Sequence, residues 1–141
     1  MAILALDVGS KRIGVAIADP DGIYAMPLCV IERSNLREDL KRIQAMLAEY
    51  GATDLVVGDP LRLTGERGPA AETMDRFVAQ LARSFAGKIH RVDERLTTAE
   101  ANKSLIAADV SRRRRRATVD KLAAALILEQ FLARRRRATG A

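Results

Sequence analysis

Four acidic residues stand where carboxylates could do chemistry: Asp7, the adjacent pair Asp93 and Glu94, and Asp120. Asp7 closes an apolar run, Ile3-Leu4-Ala5-Leu6, and is followed by Val8-Gly9-Ser10-Lys11-Arg12-Ile13-Gly14. A carboxylate at the carboxyl end of a central strand sits at the crevice where ligands bind in open α/β sheets, and glycines let backbone approach closely. Asp93-Glu94 ends a later strand-like run. Successive strand residues point to opposite faces, so at most one of the two shares a face with Asp7. Asp120 falls in the first turn of a predicted final helix. Each acid alone also has a plainer role. Asp7 can support the turn through nearby backbone amides, and an acid in the first turn of a helix is favoured by the helix dipole whatever the function. Together they offer oxygen ligands from separate elements. Phosphodiester hydrolysis by two hard cations about 4 Å apart needs such a set, because the metal ions stabilise both the attacking and the leaving oxygen.

That chemistry requires no nucleophilic side chain, and none is evident. The sequence holds no Ser-His-Asp set. Cys29, the single cysteine, lies between Leu28 and Val30 and reads as a small buried hydrophobe. His90, the single histidine, has no second histidine or cysteine to complete a zinc site and reads as structural.

The formal net charge is +6, concentrated in two runs, 112–116 and 134–137. Setting aside those nine arginines, the 24 Lys+Arg become 15, against 18 Asp+Glu, so the rest of the chain is mildly acidic. Dense arginine supplies forked donors that match phosphate oxygens. A solvated charge run is the plainer alternative for both, more so for the second because it is near the end of the chain. No apolar stretch approaches the roughly 20 residues of a membrane-spanning helix, and Met1 leads directly into a strand-like run without the features of a signal peptide. A cytoplasmic location and no membrane partner are expected.

The elements that must position these residues follow from periodicity and turn chemistry. Residues 2–7, 12–19 and 23–31 read as strands separated by Gly9-Ser10 and Asp19-Pro20-Asp21-Gly22, links short enough to imply an antiparallel meander. Asn35 and Glu38 mark a helix start, and Leu36, Leu40, Ile43, Leu47 and Tyr50 recur at helical spacing until Gly51. A strand at 55–58, a helix carrying Phe77, Leu81 and Phe85, and a strand at 89–92 come next. Thr97-Thr98-Ala99-Glu100 forms a capping box for a third helix. Thr118 is placed to cap a fourth, from Val119 to about Arg134, leaving a basic loop at 109–117 and a basic tail at 134–141. The order predicts one α/β domain over 1–141, a mixed five-stranded sheet of three antiparallel and two parallel strands flanked by helices.

Four motifs taken together resemble the YqgF/RuvX family: Asp7-Val8-Gly9-Ser10-Lys11-Arg12-Ile13-Gly14-Val15-Ala16, Val56-Val57-Gly58-Asp59-Pro60-Leu61, Asp93-Glu94-Arg95-Leu96-Thr97-Thr98 and Asp120-Lys121-Leu122-Ala123-Ala124. The resemblance covers nearly the whole chain in the family's motif order. It implies the RNase H-like fold, a relation to RuvC Holliday junction resolvases, and a part in maturing the 5′ end of pre-16S rRNA. It also implies Asp7, Glu94 and Asp120 as catalytic metal ligands for magnesium or manganese, with Glu94 preferred to Asp93. The segment around Gly58 and Pro60 would line the site. Lys11, Arg12 and Arg95 would hold phosphates, joined by Arg112, Arg113, Arg114, Arg115 and Arg116, which the charge pattern points to independently. The chain departs from the family pattern at Asp59, where an apolar residue is usual, and at Arg62-Leu63-Thr64. Asp59 is then either an extra ligand or, as is more common before a proline, a turn-stabilising aspartate.

The expected activity is therefore metal-dependent cleavage of nucleic acid, structured RNA or branched DNA, by a monomer or homodimer, with a pre-ribosomal particle as a possible partner. Phosphate contacts carry little sequence information, so selectivity must come from shape or from a partner. Two other classes compete. A catalytically silent RNA-binding factor would need the arginines and not the acids. A phosphate-transferring ATPase of the actin and sugar-kinase type needs two such domains around a nucleotide, and 141 residues hold one.

Overall fold

The computed structural model describes residues 2–60, 64–93 and 112–138, the backbone alone for 112–121. Strands β1 (Ala2–Val8), β2 (Arg12–Ala18), β3 (Ala25–Glu32), β4 (Ala52–Asp59) and β5 (Lys88–Asp93) form one sheet in the order β3-β2-β1-β4-β5. The first three pair antiparallel, as their short links require, whereas β4 lies parallel to β1 and β5 parallel to β4. This is the mixed α/β sheet expected from the sequence. β4 is longer than expected because its polar start also pairs with β1, Ala52 with Ala2 and Asp54 with Ile3.

The two faces bury different residues, following the period of two along each strand. Leu4 and Leu6 of β1, Ile13 and Val15 of β2, and Leu55 and Val57 of β4 project to one face. That face is covered by α1 (Leu36–Glu49) through Leu40, Ile43 and Leu47, and by α2 (Pro69–Ala82) through Met74, Phe77 and Leu81. Ile3, Ala5, Ala16, Ala18, Val56 and Val92 project to the other face, where they meet Ala124, Ala125, Ile127, Leu128 and Leu132 of α3 (Arg112–Ala138). Fully burying each such Leu, Ile or Val contributes about 1.5–3 kcal/mol. The alanines on both sides of the second interface let α3 lie close to the sheet.

Helix ends obey local chemistry. The Asn35 side chain accepts the Glu38 amide at 2.9 Å, and Gly51, at φ +61°, turns the chain after α1. Pro69 opens α2, where its missing N–H costs nothing. Phe85 is not on α2 as predicted. The amides of Arg83 and Ser84 make three-residue bonds, to Gln80 and Leu81, and the helix closes at Ala82; Phe85, whose amide still reaches the Leu81 carbonyl, packs against the first core from a loop.

A larger difference concerns the arginines. Residues 112–117, expected in a basic loop, are helical, and α3 also takes in 134–138 from the expected tail. Arginine is a strong helix former, and here that preference prevails over the mutual repulsion that favoured a loop. The resulting helix of 27 residues is about 40 Å long. The helix predicted after Thr97 lies outside the described residues. Among those described, no helix is long and apolar enough to cross a membrane.

Candidate active site

Asp7 lies near the carboxyl end of β1 and is half-buried. Alternation from Ile3 and Ala5 puts its side chain on the α3 face of the sheet. Its neighbours in the sheet are both glycines. Gly14 is its direct partner on β2, and Gly58 follows the last paired residues Leu6 and Val57 on the β4 side. Neither of these two neighbours projects a side chain, as is common in strands where another group comes close to the backbone.

The turn after Asp7 is tightly built. The Gly9 amide donates to the Arg12 carbonyl at 2.8 Å, and a Cβ at Gly9 would lie only 2.9 Å from that same oxygen. Arg33, distant in sequence, braces the turn from the other face. Its Nη1 donates to the Gly9 carbonyl at 2.8 Å, its backbone amide to Lys11 O at 2.9 Å, and its Nε to the carboxylate of Asp39 at 3.0 Å. Asp39, 1% exposed, also accepts the Ser34 amide at 3.1 Å. No local sequence signal pointed to this brace, because it joins the β1–β2 turn to the start of α1.

The predicted site residues are placed as follows. Lys11 is exposed in the turn, and Arg12, half-buried, opens β2 on the Asp7 face by alternation from Gly14 and Ala16. Asp120 and Arg112 to Arg116 have backbones in α3, with side chains outside the described residues. Leu132 and Arg135 sit with Ile3 and Ala18 at the far end of the sheet. The first turns of α3 are therefore carried toward the Asp7 end. Glu94 and Arg95 lie outside the described residues. Among the described residues no three His, Cys, Asp or Glu side chains gather into a metal-binding group; Asp7 is the one member of the expected trio whose side chain is described.

Asp59 and Asp93 belong to the opposite face. Asp59 follows Leu55 and Val57 in the alternation, and Asp93 pairs with it in parallel register while Val92 faces α3. Both Asp59 oxygens are engaged: Oδ1 by Arg91 at 2.9 Å and Oδ2 by Arg67 at 2.7 Å. Asp75 of α2 binds the same two arginines. The hydrogen bond to Asp59 holds the Arg67 guanidinium above its ordinary pKa. Asp59 is thus a brace for the segment that returns through Arg67 to α2, held by ion pairs to two arginines rather than by the backbone contacts of a turn-stabilising aspartate.

Comparison with known proteins bears on this geometry. The model of the family described as RuvX, Holliday junction resolvase, matches residues 1–134. The chain belongs to this family. A relative from Geobacillus kaustophilus is 46% identical over 134 residues, covering 94% of this chain and 97% of its own. One from Desulforudis audaxviator is 45% identical over 132 residues, 94% of each chain. Both are named "Putative pre-16S rRNA nuclease". Among solved structures, Thermus thermophilus RuvC in complex with a Holliday junction substrate superposes with a TM-score of 0.62 at 16% identity, over 96% of both chains. The fowlpox virus Holliday junction resolvase does so with a TM-score of 0.54 at 15% identity, over 95% of this chain and 99% of its own. At those identities the likeness establishes the fold, which is RNase H-like. The RuvX-family motif around Asp7 coincides with the glycine-flanked end of β1.

Proposed function

We propose that this RuvX-family chain is a metal-dependent endonuclease of 5′-end maturation of pre-16S rRNA, with Asp7, Glu94 and Asp120 as its catalytic carboxylates. The observation that carries the reading is Asp7 itself, half-buried at the carboxyl end of the central strand between Gly14 and Gly58. The substrate follows from the relatives at 45–46% identity over nearly the whole chain, which bear the name of a pre-16S rRNA nuclease.

A divalent cation fits the donor set: carboxylate oxygens suit magnesium or manganese. Asp7, Glu94 and Asp120 would hold it, and when bound it supplies positive charge at the scissile phosphate and a more acidic water. The choice of Glu94 over its neighbour is supported by the assignment of Asp93 to the opposite face. The Arg33–Asp39 brace keeps the Gly9 turn, and with it the end of β1, in place. Lys11, Arg12, Arg95 and the arginines 112–116 contact flanking phosphates, so binding weakens steeply with added salt.

The test is cleavage of labelled pre-rRNA 5′-leader fragments and four-way DNA junctions, with magnesium or manganese, by the wild type and Asp7→Asn side by side. The reading expects cutting of the RNA that is lost in the variant and with chelator. Preferential cutting of the junction favours the second reading, a resolvase on branched DNA, which the description of the family model supports. Binding with no cutting of either substrate sinks both in favour of a silent RNA-binding factor.

A further inference from the structure

We propose that the pocket beside the β1–β2 turn, on the face of the sheet opposite the Asp7 side chain, takes one unpaired nucleobase of the substrate strand, with Arg76 meeting a phosphate next to it. That the occupant belongs to a substrate rests on the nuclease reading; the pocket and its chemistry rest on separate observations.

Val8 alternates with Asp7, so it projects to the α1 and α2 face, where it packs against the first core. Around it opens a cavity of about 480 Å³, lined by the turn after β1, the start of α1 and one side of α2. That volume is in the range of small-ligand sites, about 300–1,000 Å³. Its apolar lining includes Leu36, Met74 and Phe77. The Phe77 ring is held in place: it is 4% exposed, and the Arg33 guanidinium lies 5.9 Å from its centre.

Among the described lining residues two are arginines and none is acidic. Arg33 is committed within the protein, to the Gly9 carbonyl and to Asp39. Arg76 is exposed, and among the described residues its guanidinium has one hydrogen bond, to Thr73 Oγ1 at 3.3 Å, a turn back on its own helix. Ser10 and Gln80 also line the pocket, and among the described residues neither side chain makes a hydrogen bond. A hydroxyl and a carboxamide each donate and accept, so they suit the edge of any base. An apolar and aromatic pocket with a spare cation at its side is the combination that binds single strands, the base packing on the ring and the phosphate meeting the arginine.

Other occupants match less. A second copy of the chain would bury about 800 Å² on each side of a stable interface, and among the described lining residues the one exposed large apolar side chain is Leu36, at 42%. A base inside a duplex cannot enter, because its faces and its pairing edge are already taken. The position also suits a substrate strand. Asp7 and Gly9 are two residues apart, roughly 7 Å of strand, and successive phosphates of a stacked strand are about 3.4 Å apart. A strand cut at Asp7 and crossing the sheet end over Gly9 and Ser10 therefore brings a nearby base to the pocket.

The experiment is equilibrium binding in chelator, by the full chain, of a labelled single-stranded RNA of on the order of ten nucleotides and of the duplex it forms with its complement. Ala70→Leu fills the pocket from an exposed position on α2 and removes no charge. It should weaken single-strand binding about tenfold, the scale of one stacked base, with an unchanged salt slope. Thr73→Leu, three residues along the same side of the helix, should do the same. Arg76→Gln should weaken single-strand binding with a salt slope shallower by about 0.7. All three should bind the duplex like wild type. Equal losses on both RNAs, or no loss on the single strand, would overturn the proposal. So would a free nucleoside monophosphate that binds as tightly as the strand, which would make this a small-molecule site, or wild-type self-association that Ala70→Leu abolishes with RNA binding intact, which would assign the pocket to a second copy. Cutting is not read here, so a chain that binds this way and cleaves nothing loses only the nuclease reading.

Discussion

Asp7 and Asp59 close neighbouring parallel strands at the same end of the sheet, yet their surroundings are opposite. Asp59, 8% exposed on the α1 and α2 face, has each oxygen taken by an arginine, and Asp75 ties those arginines to α2. Asp7 is on the α3 face, flanked within the sheet by Gly14 and Gly58. An aspartate whose lone pairs are filled by guanidinium groups is part of the scaffold. Asp7 lies on the other face, at the end of β1 that the proposed metal site uses. Residue type and strand position are shared by the two, and the face alone separates them.

Removing each acid should divide them cleanly. Asp7→Asn is expected to lower cleavage on the order of a hundred- to a thousandfold, the scale of losing one group that stabilises transition-state charge, with an unchanged urea midpoint. Cleavage surviving in that variant would end the distinction. Next in size is Asp39→Ala, which strips Arg33 and the Ser34 amide of their buried acceptor and should cost about 2 kcal/mol of stability. A urea titration reads this directly; an unchanged midpoint would show that the Arg33 brace is unimportant. Asp59→Ala should cost about 1–2 kcal/mol, discounted because Arg91 is partly solvated, and keep its cleavage rate wherever the protein is folded. A rate loss as large as that of Asp7→Asn would place Asp59 in the site after all.

The smallest effect concerns the α3 face at its other end. Burial works to raise the Asp54 pKa, but hydrogen bonds from His90 and Thr53 outweigh it and hold the carboxyl below its usual value of 3.8. The stability this contributes is fully present above the ordinary aspartate range and is lost as pH falls through the lowered folded value. Asp54→Asn should therefore lose a little stability at neutral pH, flatten the acid side of the curve and converge with the wild type at low pH. Identical acid limbs for variant and wild type would contradict it.

Much of this was legible in the sequence. The Asn35 cap, the Gly51 stop and the short links of the meander are local chemistry, and each holds in the structure. Phe85 and the arginines at 112–117 were misplaced because competing local preferences, helix tightening in one case and arginine's helix propensity in the other, are close in energy. Asp7 was singled out from its strand end and its glycines. Arg33, the brace beneath it, was not, since it is 24 residues from Gly9 and ordinary in type.

The sequence by itself determined the alternation within each strand, and so which residues of one strand share a face, because that period is a property of the extended backbone. It also determined that Asp93 and its neighbour cannot face the same way. Only the tertiary structure decided how the strands align: that Gly14 and Gly58 flank Asp7, and that Arg67 and Arg91 converge on Asp59. Those alignments join segments tens of residues apart, and they are settled by burying both faces of the sheet at once, which no local pattern encodes.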